Sequence, residues 1–480
     1  MIAAGRLGRG TLRGDLLNTL VSGVGVFIGV LVLYGLIARL MGTEALGEFL
    51  LVRRTAFTLM GVFLIGMNLG LPYYVAKAGD HAYGLSALLI FALLTVPLIG
   101  LASRAISVGV LAGFPTYLAL PFFVFTTAYA VQYLAFALLR GRLNIWGANL
   151  VQLLGTGLIP IAVFLLLRER SVPLLLRTIG IATIGMSALI YLLNVDWRGR
   201  VLELRKAWDL LSYGGSRMVG FAAEFILLGG APLLILGGST KSEVAYLNSG
   251  ISLLRLFLLA VGPLGIVLLP RISRAMDRGN TARLAVGLEV LAKSVLLTGL
   301  PLALLLSMNS ATILRVWLGA GNEAGVEIVR LIVLALPFYL LIMVLRAPID
   351  AASQRGYNSV VYGAAALILL ALFFGLRAVS VPILEAGVLS FVGAHVAGAA
   401  GSLYFARKLY GITLFNPWYV LTLLAVLAVS LVLLYSIRAV VPGPASLAVG
   451  AVALGAILSL YFARSRSDWV AGLRSLLVGK

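Results

Sequence analysis

Apolar residues along this chain fall in blocks of about 20, separated by short polar segments rich in arginine, glycine and proline. Blocks of that length match the thickness of bilayer hydrocarbon, whereas an amphipathic helix on a soluble core shows only an apolar stripe. Fourteen spanning helices are predicted, over residues 16–38, 49–75, 84–102, 116–139, 150–167, 174–194, 214–236, 245–268, 284–307, 327–345, 358–378, 384–404, 419–437 and 446–463. The first block is long and lacks a small-residue cleavage site, so it is expected to stay as a span. Prolines inside the blocks (Pro97, Pro121, Pro160, Pro232, Pro263, Pro301, Pro337) predict bent helices whose freed carbonyls are satisfied by neighbours.

The pattern also repeats. Asp15-Leu16-Leu17 returns as Asp209-Leu210-Leu211, Gly42 as Gly238, Phe49 as Tyr246, and Leu71-Pro72 as Leu269-Pro270, at offsets of 194 to 198 residues. A duplicated bundle is a common way to build two transporter lobes around a central site. The sequence thus predicts an all-α polytopic membrane protein with two pseudo-symmetric six-helix lobes, 1–205 and 206–404, and two further spans with a cytoplasmic tail in 405–480. The longest connection, residues 195–213, mixes Trp197 and Trp208 with Arg198, Arg200, Arg205 and Lys206, which suggests a short helix lying in the membrane interface.

Composition agrees. Apolar residues make up 61% of the 480, charged residues 11%, and the mean hydropathy is +1.08. A soluble protein could not cover that much hydrocarbon. There is no cysteine, so thiol metal sites and disulfides are excluded, and the two histidines, His81 and His395, form no metal cluster. No loop is long enough for a soluble catalytic or nucleotide-binding domain, and no Walker motif appears. With both termini on one side, that side receives 23 of the 37 basic residues and the other side 8, the remainder lying within spans. This bias predicts cytoplasmic termini in the plasma membrane. The net charge of +20 is therefore a topology signal that also attracts anionic lipids, not a nucleic-acid signature.

Charges within spans are costly and are functional candidates by default. Arg53 and Arg54 are expected about five residues into the second span, pointing about 100° apart. They either snorkel to headgroups or clamp an anion, since guanidinium forks match phosphate oxygens. Arg255 in span eight and Glu224 in span seven are expected near the midplane. They are either each other's counter-ions, or Arg255 meets an anionic substrate while Glu224 binds a coupling Na⁺ or H⁺. Glu289 and Lys293, four apart with the acid first, predict an intrahelical pair, as do Glu327 and Arg330. His395 reads as a buried structural histidine or a proton relay. No nucleophilic triad or metal set is present, so neither an enzyme nor a resident cofactor is expected.

Leu17-Asn18-Thr19-Leu20, Ala38-Arg39-Leu40-Met41-Gly42, Gly47-Glu48-Phe49 and Tyr74-Val75-Ala76-Lys77, within the fourteen-span layout, resemble the polysaccharide-exporter branch of the MOP superfamily. The resemblance implies a MATE-like fold and a monomeric flippase that moves a lipid-linked oligosaccharide to the outer leaflet for cell-surface glycan assembly. It further implies a cationic cavity for the lipid's phosphate or pyrophosphate. Arginines in spans two and eight of related peptidoglycan-precursor flippases match Arg53 or Arg54 and Arg255 by span, and an acid in span seven matches Glu224. Those relatives also carry charges in span one, where this chain has none between Asp15 and Arg39. The same fold serves multidrug–cation antiporters of the MATE branch, but spans one to six here contain no acid between their ends. A membrane glycosyltransferase or polymerase would want acidic catalytic residues and a sizeable outer loop, and neither is found.

Overall fold

The structure is a computed structural model that describes residues 12–78, 82–111, 113–195, 203–257, 272, 281–352, 356–441 and 443–464. Among them there is no strand. Eleven helices are long and apolar enough to cross a membrane, thirteen if each of two bent pairs counts as one span. These thirteen correspond to thirteen of the fourteen predicted blocks. The remaining block, 245–268, is described only through its first part, and Leu269-Pro270 of the repeat lies outside the described residues. The chain divides into two compact units, Met1–Ala245 and Tyr246–Lys480.

In the first unit α1 (Leu12–Met41) ends at Gly42, whose φ of 93° is open to glycine at little cost, and α2 (Thr43–Phe63) starts immediately after it. After α2 comes a break with Ile65 at φ 49° and Gly66 at φ 72°, and α3 (Met67–Ala78) leaves at 52° to α2. The bend frees carbonyls, and Thr95 Oγ1 donates to one of them, Phe63 O, at 2.8 Å. Thr95 closes a π-turn (Phe91–Thr95) between α4 (Ala82–Ile90) and α5 (Val96–Ser107). A second π-turn, Leu153–Leu158, joins α7 (Ile145–Gln152) to α8 (Ile159–Leu166). There a Cβ on Gly29 of α1 would lie 2.8 Å from Gly157 Cα, so two glycines let the backbones touch. α6 (Ala119–Gly141) and α9 (Val172–Asn194) pack along each other to complete the bundle.

The unit's last long helix is α10 (Leu204–Leu234), followed by a turn through Gly238 and by α11 (Lys241–Leu256). α1–α2 and α10–α11 thus repeat one helix–turn–helix order along the chain. Asp15 and Asp209 fall in their opening turns, Gly42 and Gly238 in their connections, and Phe49 and Tyr246 are buried on their second helices. α10 packs against α2, α3 and α4, so the compact unit extends through it to Ala245, past the first repeat. Its opening segment, Leu204–Gly215, is bent 49° from Met218–Leu234. That segment exposes Leu204 and Trp208 and buries Ala207 and Leu210, the amphipathic pattern expected of an interfacial helix.

The second unit contains α12 (Thr281–Met308), α13 (Ser310–Leu318), α14 (Val326–Ile332), α15 (Leu336–Ala352), α16 (Tyr357–Ala378), α17 (Ile383–Tyr410), α18 (Pro417–Val440) and α19 (Pro444–Arg464). The span built on α15 is 72% buried, whereas those of α18 and α19 are 11% and 17% buried. These two therefore sit at the periphery. They are held to α12 by the Leu305–Leu434–Leu454 cluster, by Arg438 donating to Met308 O (2.8 Å) and by Ser446 donating to Asn309 Oδ1 (2.9 Å).

Candidate functional site

The helix carrying the paired arginines starts earlier than its hydropathy suggests, because Thr43–Phe49 includes Glu44 and Glu48. Arg53 lies ten residues past Thr43, about 15 Å along the axis at 1.5 Å per residue, rather than the expected five residues in. Arg53 is 8% exposed and Arg54 6%. That burial sets both side chains against protein.

Consecutive helical positions send the two side chains to different neighbours. Arg53 turns into the bundle, its guanidinium 5.4 Å from the Tyr34 ring centroid and 5.5 Å from that of Phe57. Phe57 meets Tyr129 edge-on at 4.8 Å and Tyr133 at 6.4 Å, and Tyr129 stands 4.7 Å from Phe125. The result is an aromatic box built by α1, α2 and α6. Within it Arg53 Nη1 is buried without a hydrogen-bond partner. Arg54 turns toward α10, where a Cβ on Gly229 would lie 3.4 Å from Arg54 Cδ and 1.9 Å from Thr58 Oγ1.

The α2–α10 seam is tight along its length. Gly61 faces Phe221 and Ala222, with its would-be Cβ 3.1 to 3.3 Å away, and Gly66 faces Gly214 at 2.4 Å. The two helices thus meet where both are broken. Beyond the upper end of the seam, Lys241 forms an ion pair with Glu48, Tyr117 donates its hydroxyl to the same carboxylate, and Lys241 Nζ also reaches Tyr117 Oη at 3.4 Å. The hydrogen bond to Glu48 holds the Lys241 ammonium above the ordinary lysine pKa, outweighing its partial burial. At the other end Tyr73 stacks on Tyr213 (4.5 Å) and Tyr74 on Tyr83 (4.8 Å), while Tyr83 donates to Asp209 Oδ2 at 3.2 Å. Neither cluster was visible in the sequence. Asp209 stood out only as a repeat match, and the tyrosines lie on helices far apart along the chain.

Glu224 is half-buried on α10 in the first unit, and Arg255 is half-buried in the last turn of α11 in the second. The duller charges behave as local pairs. Lys293 pairs with Glu289, and Arg330 Nη1 lies 2.5 Å from Glu327 Oε1. Glu385 is exposed. His395 is fully buried with Nδ1 2.8 Å from Phe391 O, so Nδ1 carries the proton it donates there. His81 lies outside the described residues. Among the described residues no group of three histidines or carboxylates is placed to hold a metal.

No family model matches the sequence, and no curated protein matches it. Solved structures do. A structure of the lipid II flippase MurJ in an inward closed conformation aligns with a TM-score of 0.72, over 94% of this chain and 99% of that one, at 16% identity. An outward-facing structure of a multidrug resistance MATE family transporter of the MOP superfamily aligns with a TM-score of 0.57, over 84% and 97% of the two chains, at 15% identity. The chain is a multi-pass membrane protein with the fold these structures share.

Proposed function

We propose that this protein is a flippase for a lipid-linked oligosaccharide, carried on a polyprenyl phosphate or pyrophosphate, across the cytoplasmic membrane. A sugar–phosphate headgroup cannot cross about 30 Å of hydrocarbon unaided, and its charge must be met by fixed cations on the way. The observation that carries the reading is the pair Arg53–Arg54, both buried on α2 about 15 Å from its start, with that helix's acids, Glu44 and Glu48, confined to its first two turns. A site for cationic drugs would invert that charge.

Arg54 is the member of the pair directed at α10, so within the first unit we assign the lipid phosphate to Arg54, with Arg53 behind it; Arg255 is proposed as a phosphate-binding residue of the second unit taken by itself. Glu224 on α10 is assigned to a coupling Na⁺ or H⁺. The two repeats alternate access, the termini are cytoplasmic, and the protein acts as a monomer without catalytic chemistry. A bidentate guanidinium–phosphate contact is worth more than a neutral hydrogen bond, so its loss should be visible in retention of the lipid.

Native mass spectrometry of protein purified from its own membranes tests the assignment. Wild type is expected to carry a polyprenyl-phosphate glycan that is lost or at least tenfold depleted in Arg54→Ala and Arg255→Ala, a change of about 1.4 kcal/mol. Bulk phospholipid alone, unchanged by either substitution, contradicts the assignment and brings the cation antiporter forward.

A further inference from the structure

We infer that the interior of the first unit holds a small monovalent inorganic anion, a halide, against the guanidinium of Arg53. Arg53 is 8% exposed and Nη1 is buried with no acceptor. No ion pair among the described residues includes it. An arginine cannot shed its proton to escape burial. An uncompensated charge in a low-dielectric interior is strongly destabilising. The ring faces of Tyr34 and Phe57 at 5.4 and 5.5 Å offset part of that and leave Nη1 unanswered.

The surroundings select the ligand. Tyr129, whose ring meets Phe57 at 4.8 Å, has its hydroxyl buried without a partner, and its O–H can donate, as the guanidinium does. Two buried donors, Arg53 Nη1 and Tyr129 Oη, with no carboxylate paired to the arginine, favour an anion. A water molecule would satisfy the donors and leave the charge. A phosphate dianion would bring two negative charges to one cation inside an aromatic wall, leaving an excess charge buried. One halide balances one guanidinium, and its shell needs donors only.

This inference stands on the geometry of α1, α2 and α6 and is independent of the cargo. It predicts that the anion stabilises the fold by linkage, with the folding equilibrium shifted about 100-fold at a halide concentration 100 times Kd. The test is thermal unfolding of the full chain in detergent at matched ionic strength, in sodium chloride, bromide, gluconate or phosphate. Wild type should show a saturable rise in Tm with chloride and bromide and none with gluconate or phosphate. Arg53→Met, which keeps an unbranched apolar stem, should lose the halide response, while Arg54→Met keeps it.

Equal stability of wild type in chloride and gluconate overturns the inference, as does a halide response that survives in Arg53→Met. Stronger protection by phosphate than by halide also overturns it and returns Arg53 to headgroup chemistry. Should Arg53→Met not fold, anomalous diffraction from wild-type crystals grown in bromide decides. A bromide peak beside Arg53 Nη1 upholds the site, and a featureless box removes it.

Discussion

Two adjacent arginines on α2 end in different environments because a helix turns about 100° per residue. That divergence was legible in the sequence, as was the pairing of Glu289 with Lys293. The environments themselves were not, since Tyr34, Phe57 and Tyr129 come from three helices spread over 95 residues, and only packing brings them together. The same holds for Lys241 and Glu48, almost two hundred residues apart. Their ion pair is partly exposed, with the Lys241 side chain 44% accessible, so its worth is below about 1 kcal/mol. Because the pKa of Lys241 is raised on folding, this contribution is complete below the ordinary lysine value of 10.5 and is lost as pH rises through the raised value. Lys241→Met should therefore lower Tm slightly and by a constant amount across the neutral range. The difference from wild type should close only in alkaline solution, as followed by thermal unfolding against pH.

Among the elements, thirteen apolar blocks became spans with boundaries displaced by a few residues, because hydropathy marks hydrocarbon and not hydrogen bonding. The polar first turns of α2 were missed for that reason. So was the break at Ile65–Gly66, since a positive φ in an isoleucine is imposed by packing rather than by local preference. Small residues at the α2–α10 seam could have been noticed, but not matched in register. Their roles separate cleanly by substitution. Gly66→Ala forces an L side chain to φ 72° and into Gly214, and is expected to cost at least about 2 kcal/mol. Gly215→Ala, one residue from that contact, meets nothing within 4 Å and should be neutral or slightly stabilising. Thermal unfolding of the two variants in detergent checks both; equal effects would contradict the seam as described.

For the whole molecule, the sequence carried the helical class and thirteen of the spans. It did not carry the extension of the first compact unit through α10, which follows from the seam with α2 and not from any composition change. The inferred orientation has a direct readout because the chain has no cysteine. Val110 and Leu143 are 70% and 67% exposed, on loops assigned to opposite sides. A membrane-impermeant maleimide applied to intact cells should label Val110→Cys and leave Leu143→Cys unlabelled until the membrane is opened. The reverse pattern would invert the topology, and labelling of both would break the span count.

The molecule is proposed to move a lipid-linked oligosaccharide between leaflets. The most direct test is reconstitution of the purified protein into vesicles containing a polyprenyl-pyrophosphate oligosaccharide, with a glycan-cleaving enzyme added outside. The cleavable share is expected to rise from the outer-leaflet fraction to nearly all of the lipid with wild type, and to stay at the outer-leaflet fraction with Arg54→Ala. Cleavage that stops at the outer-leaflet fraction with wild type, in vesicles where the same protein exchanges a cationic dye for Na⁺ or H⁺, would contradict it.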